Sequence, residues 1–295
     1  MPQFKAWQWI AVGAAAAALG GYYFLYQPAL SLADLAGRIP HDDRVMAQLD
    51  VQALRRSGLL ERLAGKAGLE ESDYQQFVKE TGFEYRKDLD RVLLAYTRRE
   101  THFFLMGRFD WKRLETYAVK QGGACSWGVC RLDSSTPGRK VSFRLIRPGI
   151  LALASSPDSN AVLRLDSKAE PMADLPPQPV WILLPAAVLK DKEALPTGTH
   201  TIATAVMDAE RVTLGIGPKD GRFEALLEAR CVNAEYATQA MRQLESATAL
   251  LKKMMARDKL VPNPRNLTGV LAGGRFRTEG TRLTAAWPIA TEFFE

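Results

Sequence analysis

The chain has 295 residues, of which 47% are hydrophobic and 24% charged, a balance typical of folded globular proteins and not of disordered ones. Its net charge of +6 suits an anionic neighbour such as lipid head groups or nucleic acid. Basic residues are mixed with acidic ones along most of the chain, and no basic block interleaved with aromatic residues is present. We therefore predict no nucleic-acid partner.

The first feature along the chain is an uncharged, apolar stretch over residues 7–26. A helix that crosses about 30 Å of hydrocarbon needs about 20 residues, and this stretch supplies them. Aromatic residues that prefer the membrane–water interface stand near both of its ends: Trp7, Trp9, Tyr22, Tyr23 and Tyr26. We predict a transmembrane helix within a membrane anchor of residues 1–28, with these five residues at the interface and membrane lipid as a partner.

A cleaved signal peptide is the alternative, with Lys5 as its basic region and cleavage near Ala33. We favour an uncleaved anchor, because the apolar run is long and rich in aromatic residues near its end. Lys5 on the short side indicates a single-pass protein of the inner membrane, with its C-terminal domain in the periplasm or extracytoplasmic space. Arg38 and Arg44 lie beyond the other end of the stretch, so the reversed orientation stays open. Small residues four apart, such as Ala16 with Gly20, leave self-association through this helix open.

A stalk over residues 29–43 is predicted to lead into a first α+β unit over residues 44–169. Asp110 is placed to cap a helix, and Pro148-Gly149 suits a tight turn. The predicted strands and hairpins of this unit cover residues 44–51, 92–97, 102–109, 124–132 and 141–154, and its helices cover residues 53–68, 70–81, 111–121 and 157–165.

A proline-rich linker over residues 170–179 separates this unit from a second α+β unit over residues 180–295. Asn233 is placed to cap the longest helix, which ends near Arg257 and has an apolar stripe at helical spacing. The predicted strands and hairpins cover residues 180–184, 201–207, 211–215, 223–231, 267–277 and 282–288.

Both units have the order hairpin, capped helix, hairpin, over residues 92–154 and 211–288. This order predicts the α+β class, with an N-terminal transmembrane helix followed by antiparallel sheets that carry helices on one face. It also predicts that the two units are structural repeats.

Two cysteines, Cys125 and Cys130, flank a short segment that contains Trp127-Gly128. A tight turn there would bring the two thiols face to face on adjacent strands, and outside the cytosol such thiols oxidise. We predict a disulfide between Cys125 and Cys130. Two small buried thiols are the alternative.

No set of residues that catalysis or ligand binding would require is visible. The three histidines, His41, His102 and His200, each stand alone in their segment, and we expect His102 to form a surface pair with Glu100. No nucleophile elbow, zinc-protease helix or phosphate-binding loop is present. The sequence therefore predicts no catalytic residues, no cofactor and no metal site.

The run Thr81-Gly-Phe-Glu-Tyr-Arg-Lys-Asp-Leu-Asp-Arg-Val-Leu-Leu-Ala95, followed by Gly107-Arg-Phe-Asp110 at a helix start, resembles a group of uncharacterised bacterial proteins with an N-terminal anchor. These are domain-of-unknown-function families built from paired sheet-and-helix units. The resemblance covers about residues 45–165 and implies the same paired architecture. It transfers no catalytic residues.

Three functions follow as hypotheses. The first is a non-enzymatic interaction or accessory subunit of an envelope complex, which binds a partner envelope protein. The second is an exported protein that binds a lipid or another apolar ligand in a groove between sheet and helices. The third is a hydrolase with an unrecognised arrangement of residues.

Overall fold

The computed structural model describes residues 30–40, 44–64, 72–167, 169–190, 204–219, 222–263 and 265–294. The predicted membrane helix over residues 7–26 lies outside these ranges, and so do its five interfacial residues, Trp7, Trp9, Tyr22, Tyr23 and Tyr26. His41 and His200 also lie outside them.

The described strands are β1 Val45–Leu49, β2 Leu89–Tyr96, β3 Thr101–Gly107, β4 Ala124–Ser126, β5 Val129–Asp133, β6 Lys140–Arg147, β7 Ile150–Ser156, β8 Val180–Pro185, β9 Ala209–Lys219, β10 Arg222–Cys231, β11 Arg275–Glu279 and β12 Arg282–Ile289. The described α-helices are α1 Leu32–Arg38, α2 Val51–Arg56, α3 Leu59–Ala64, α4 Ser72–Thr81, α5 Tyr85–Asp88, α6 Trp111–Lys120, α7 Ala186–Lys190, α8 Ala234–Arg257 and α9 Leu267–Ala272. Short 3₁₀ helices cover Ala161–Asp166 and Thr291–Phe294.

All twelve strands pair antiparallel in one sheet, in the order β11-β12-β10-β9-β8-β1-β2-β3-β7-β6-β5-β4. Outward from β1 come β2, β3, β7 and β6, and outward from β8 come β9, β10, β12 and β11. On the β1 side, α6 lies in the chain between β3 and the hairpin β6–β7. On the β8 side, α8 lies between β10 and the hairpin β11–β12. We call the β1 side the first half of the sheet and the β8 side the second half.

The predicted arrangement of separate antiparallel sheets with helices on one face is wrong. The β1–β8 pair joins the two halves, and it aligns Met46 with Leu183 and Gln48 with Trp181. Both strands carry apolar residues on both faces, as strands in the middle of a covered sheet do. Helices pack on both faces of this sheet and not on one face.

The front face is the side of the sheet that carries Met46, Phe104 and Leu183, and the back face is the opposite side. Over the first half, the front face is covered by α1 and by the 3₁₀ helix Ala161–Asp166, which pack against these residues. The residues of this core that come from the two covering elements and from the C-cap of α1 are Leu35, Ala36, Ile39, Ala161, Val162 and Leu165.

The back face is covered mainly by α6 and α8. Over the first half, α6 packs Leu114 and Ala118 against Phe143 and Leu151. Over the second half, α8 packs Ala237, Ala240 and Leu244 into the core of strands β9, β10 and β12. At the middle of the sheet, α2 and α3 form a smaller apolar cluster of Val51, Leu54, Leu59 and Leu60.

Four predicted segments have a different local structure. One is the predicted strand over residues 201–207, whose described part, residues 204–207, is helix and turn. Part of the predicted stalk is α1, because Ser31 and Asp34 form a capping box and Leu35 is fully buried. The predicted helix over residues 53–68 breaks at Gly58, whose φ of 70° ends α2. Residues 267–272 are helix α9 and not a strand, because the Asn266 side chain accepts a hydrogen bond from the Gly269 amide at 2.8 Å.

Among the described residues, no helix is both long and apolar enough to cross a membrane. The longest of them, α8, has 24 residues, and charged residues such as Arg242, Lys252 and Lys253 occur along it. The predicted fold with a transmembrane helix and the predicted single-pass location in the inner membrane are both corrected by this finding.

Candidate functional site

The front face of the second half is not covered by any described helix, in contrast to the front face of the first half. Residues directly opposite each other on paired strands point to the same side of the sheet. Leu183 is on the front face and pairs with Thr213, so the strand pairings identify which side chains of β9 to β12 are on the front face. We call this surface the basic face. Its side chains are Arg211, Thr213, Lys219, Arg222, Glu224, Leu226, Glu228, Arg230, Arg275, Arg277, Glu279, Arg282, Thr284, Ala286 and Pro288.

Positive charge exceeds negative charge on the basic face. Seven of its described side chains are basic and three are acidic, which leaves a formal surplus of four positive charges. Lys219 and Arg275 bind Glu224 at 2.7 and 3.0 Å, and Arg282 binds Glu228 at 3.2 Å. The remaining arginines have no ion-pair partner among the described residues: Arg211, Arg222, Arg230 and Arg277.

The proline-rich segment borders the basic face on one side. The proline-rich segment over residues 174–178 crosses β9, where a Cβ on Gly215 would lie 2.9 Å from Cγ of Gln178. A hollow of about 560 Å³ lies between this segment and β10. A second hollow of about 1020 Å³ extends across β10, β12 and β11. Together they form a trough that is open to an extended or rounded partner.

An apolar groove of about 720 Å³ lies where β1 ends and β8 begins, between helices α2–α3 and the proline-rich segment. We call it the apolar groove. Its apolar lining is Leu32, Leu49, Ala53, Leu54, Leu59, Pro176, Pro177, Pro179, Val180, Ile216, Pro218 and Phe223. Its polar lining is Gln48, Asp50, Ser57, Arg91 and Gln178.

The charged groups of the apolar groove neutralise each other. Nη2 of Arg91 lies 2.6 Å from Oδ2 of Asp50, and Oδ1 of Asp50 accepts a hydrogen bond from the Ala53 amide at 2.8 Å. Asp50 is also the N-cap of α2. The groove therefore presents apolar walls with a few neutral hydrogen-bonding groups, among them the Gln178 amide and the Ser57 hydroxyl.

A buried polar cluster lies on the front face of the first half. Nη2 of Arg44 lies 2.6 Å from Glu100, and Nη2 of Arg164 lies 2.7 Å from the other oxygen of the same carboxylate. Burial raises the pKa of Glu100, but the hydrogen bond from Arg44 and the charges of Arg164 and Arg44 outweigh it and lower the pKa. Glu100 therefore stays ionised.

His102 belongs to the same cluster and is fully buried, so the predicted surface pair with Glu100 is wrong. Its Nδ1 lies 3.1 Å from Nη1 of Arg44. A guanidinium can only donate, so Nδ1 accepts and the proton resides on Nε2. Nε2 has no hydrogen-bond partner among the described residues. Burial lowers the pKa of His102 to about 4, and the charge of Glu100 only partly opposes this.

Ser156 completes the cluster, which thus contains a serine, a histidine and a carboxylate. Ser156 donates to Oε2 of Glu100 at 3.3 Å and accepts from the Asp158 amide at 3.2 Å. His102 is hydrogen-bonded to Arg44, and no hydrogen bond joins His102 to Ser156 in the described structure. Proton transfer from serine to histidine requires such a hydrogen bond. The bonds that are present join Glu100 to Arg44, Arg164 and Ser156, and so connect separate parts of the front face.

The predicted disulfide residues lie at one edge of the sheet, far in the chain from the basic face. Cys125 and Cys130 are opposite each other on β4 and β5, and their sulfur atoms are bonded. The described part of the chain contains no group of three or more His, Cys, Asp or Glu side chains arranged to hold a metal ion. Cys231 is a buried free thiol whose pKa is raised by burial.

Sequence reasoning did not find the basic face. The signal was an alternation of polar residues along β10, β11 and β12, such as Arg275, Arg277 and Glu279 in β11. This period of two marks one face of each strand. It does not reveal which strands are neighbours, so the surplus of charge is visible only once the strand order is known.

Comparisons with known proteins give little further information. No family model matches the chain, and no curated protein matches it. The solved structure titled "Structure of crystal form I of TP0453" has a TM-score of 0.48 and 13% sequence identity, over 90% of this chain and 96% of that one. Crystal form III of TP0453 has a TM-score of 0.47 and 15% identity, over 87% of this chain and 94% of that one. We draw no functional statement from likenesses of this size.

Proposed function

We propose that the chain is a non-enzymatic interaction protein that binds an acidic segment of a partner protein on the basic face. The observation that carries this proposal is the contrast between the two halves of one sheet. The front face of the first half is covered by α1 and a 3₁₀ helix, whereas the front face of the second half has no described cover and a surplus of four positive charges.

Charge complementarity selects an acidic partner. Arg222, Arg230 and Arg277 are exposed and have no ion-pair partner among the described residues. Arginine binds carboxylates in a bidentate geometry, and its guanidinium is weakly hydrated, so such a contact loses little hydration. Exposed ion pairs are individually weak, so several of them are needed for measurable affinity.

A protein segment fits this surface better than a nucleic acid does. Glu224, Glu228 and Glu279 lie among the arginines and would repel a continuous row of phosphates. The side chains of the basic face include no aromatic ring on which bases could stack. A protein segment, in contrast, is able to place its carboxylates opposite the arginines and its neutral groups opposite the glutamates.

The test is a binding titration with two probes of equal net charge and similar extended length. One is a fluorescein-labelled peptide of alternating Glu and Ser, and the other is a fluorescein-labelled thymidine oligonucleotide. Fluorescence anisotropy is measured with the wild-type chain and with the triple variant Arg222→Glu, Arg230→Glu, Arg277→Glu. The matched control is Arg242→Glu, Lys252→Glu, Lys253→Glu, which makes the same change of net charge on the exposed side of α8.

We expect the basic-face variant to bind the acidic peptide at least tenfold more weakly than the wild-type chain does. The α8 control should remain within about twofold of the wild type, and added salt should weaken binding by screening. An equal loss of peptide affinity in both variants would mean that net charge alone causes the effect, and it would overturn the proposal. Tighter binding of the oligonucleotide than of the peptide, lost in the basic-face variant, would assign the face to nucleic acid and also overturn it.

A further inference from the structure

The indole ring of Trp127 is almost completely exposed to solvent. Trp127 is 99% exposed, at the tip of the hairpin that joins β4 and β5. Its neighbours at the tip, Ser126 and Gly128, are small and also exposed. Tryptophan has a large apolar surface that is favourably removed from water. The ring therefore does not contribute to the packing of the described fold.

The hairpin holds the backbone of Trp127 in a fixed conformation. Trp127 and Gly128 have φ values of 53° and 71°, the left-handed conformation that a two-residue hairpin turn of type I′ requires. This conformation favours Asn or Gly at the position that Trp127 occupies. The Cys125–Cys130 disulfide closes the base of the turn, and both cysteines contact the core under α6. The backbone is therefore fixed before binding, and only the side-chain rotamers of Trp127 are left to be ordered.

We propose that Trp127 of one molecule inserts into the apolar groove of a second copy of the chain. The apolar groove offers walls of matching chemistry, formed by Leu54, Leu59 and Phe223. The indole has one hydrogen-bond donor and no acceptor. The side-chain carbonyl of Gln178 and the hydroxyl of Ser57 line the same groove and accept hydrogen bonds.

A lipid surface matches the hairpin tip less well. Stable attachment to a membrane takes more than one anchoring group. The tip carries a single ring between Ser126 and Gly128, so it has the form of a knob for a groove and not of a membrane-binding surface.

The contact is weak and directional. A tryptophan buries at most about 250 Å², and the groove buries a similar area, which is well below the roughly 1,200 Å² of stable interfaces. Association through this contact is therefore transient. Knob and groove are different surfaces of one chain, so the contact is heterologous and produces a ring or an open chain of molecules. It uses none of the charged residues of the basic face, so it is independent of the proposed function.

The first experiment uses a synthetic peptide of residues 124–131, closed by its disulfide and labelled with fluorescein. It is titrated with the full chain and followed by anisotropy. We expect binding, and we expect at least tenfold weaker binding when alanine replaces the tryptophan in the peptide. An Ala53→Trp variant of the chain fills the groove and should also lose the peptide. The alanine peptide keeps the test valid even if that variant fails to fold.

The second experiment is sedimentation velocity of the full chain over a hundredfold range of concentration. The average mass of the wild-type chain should rise with concentration, and Trp127→Ser should remove this rise. The matched control Tyr236→Ser removes a 42% exposed aromatic ring from α8 and should leave the rise unchanged.

Three results would overturn the proposal. One is association that persists in Trp127→Ser. Another is an equal affinity of the tryptophan and alanine peptides for the wild-type chain, including no affinity for either. The third is a stoichiometric fatty acid in an organic extract of the protein, seen by mass spectrometry, whose removal leaves the peptide unbound. That result would assign the groove to a small apolar ligand.

Discussion

Gln48 and Trp181 meet at the seam between the two halves of the sheet. Nε1 of Trp181 donates a hydrogen bond of 2.6 Å to Oε1 of Gln48, and both side chains are buried. The two residues are directly opposite each other on β1 and β8. Trp181 is the largest fully buried side chain among the described residues, and this bond satisfies its polar atom. The bond therefore links the register of the β1–β8 pair to the packing of the front face.

We expect Gln48→Leu to lower the free energy of unfolding by about 1–3 kcal/mol. Leucine fills similar space but leaves the buried Nε1–H of Trp181 without an acceptor, and an unsatisfied buried donor costs this much. Urea unfolding followed by tryptophan fluorescence measures the change. The control Gln76→Leu removes an exposed amide that bonds Glu80 on α4 and should change stability by less than about 0.5 kcal/mol. Equal effects of the two variants would contradict the prediction.

The stability of the protein should fall in mild acid because of His102. The pKa of His102 is about 4 in the folded chain and about 6.5 in the unfolded chain. Between these values the unfolded chain binds a proton that the folded chain does not, so lowering the pH favours unfolding. The effect is absent above pH 6.5 and complete below pH 4. At pH 4.5 it amounts to about 2.5 kcal/mol.

The groups that face His102 are all charged. They are the guanidinium groups of Arg44 and Arg164 and the carboxylate of Glu100, whose pKa is lowered although burial opposes this. The measurement is urea unfolding of the wild-type chain and of His102→Leu at pH 7.5 and pH 4.5. The variant should lose about 2.5 kcal/mol less than the wild type on this change of pH. Identical losses would show that His102 does not titrate as its burial requires.

Local structure was predictable from the sequence where a short segment determines it. Asp110 and Asn233 cap α6 and α8 as predicted, because each side chain accepts from an amide three residues later. The burial of His102 was not predictable. A histidine two residues from Glu100 reads as a surface pair, and its real environment comes from Arg44 and from the 3₁₀ helix that carries Arg164.

The pairing of β1 with β8 was not predictable for a related reason. It joins residues that are 133 positions apart, such as Gln48 and Trp181, and hydrophobic periodicity reports only which face of a strand is buried. The proline-rich segment before β8 looked like a linker between two domains. In the structure, it crosses the sheet at Gly215 and separates the covered front face from the basic face.

The Cys125–Cys130 bond should stabilise the protein by about 2 kcal/mol, because it closes a short loop in the unfolded chain. We expect the double variant Cys125→Ala, Cys130→Ala to lose this amount in urea unfolding. Mass mapping without reductant should find the peptides that contain the two cysteines joined, and a thiol reagent should modify Cys231 only after unfolding, because that residue is buried. Rapid modification of Cys125 in the native, unreduced protein would contradict the prediction. Cys231→Ala is the control that leaves the bond intact.

The close approach of α1 to the proline-rich segment should make Gly37 intolerant of a side chain. A Cβ at Gly37 would lie 1.9 Å from the carbonyl oxygen of Glu170, and the Met172 amide donates to the carbonyl of Ala33 at 2.9 Å on the same surface. Alanine favours a helix over glycine by about 1 kcal/mol. A carbonyl at this distance has to move, so α1 is pushed away from the segment and the packing of Leu35 is lost with it.

We therefore expect Gly37→Ala to destabilise the protein, with a net loss of about 1–3 kcal/mol in urea unfolding. Hydrogen exchange should locate the change, since the Met172 amide should lose protection while amides of α8 keep theirs. Gly273→Ala is the matched control, because its nearest neighbour across space, the Val270 carbonyl oxygen, would lie 3.3 Å from the new Cβ. A Gly37→Ala variant as stable as the wild type would mean that α1 does not rest on Glu170, and the cover of the front face would then have to be held by the 3₁₀ helix alone.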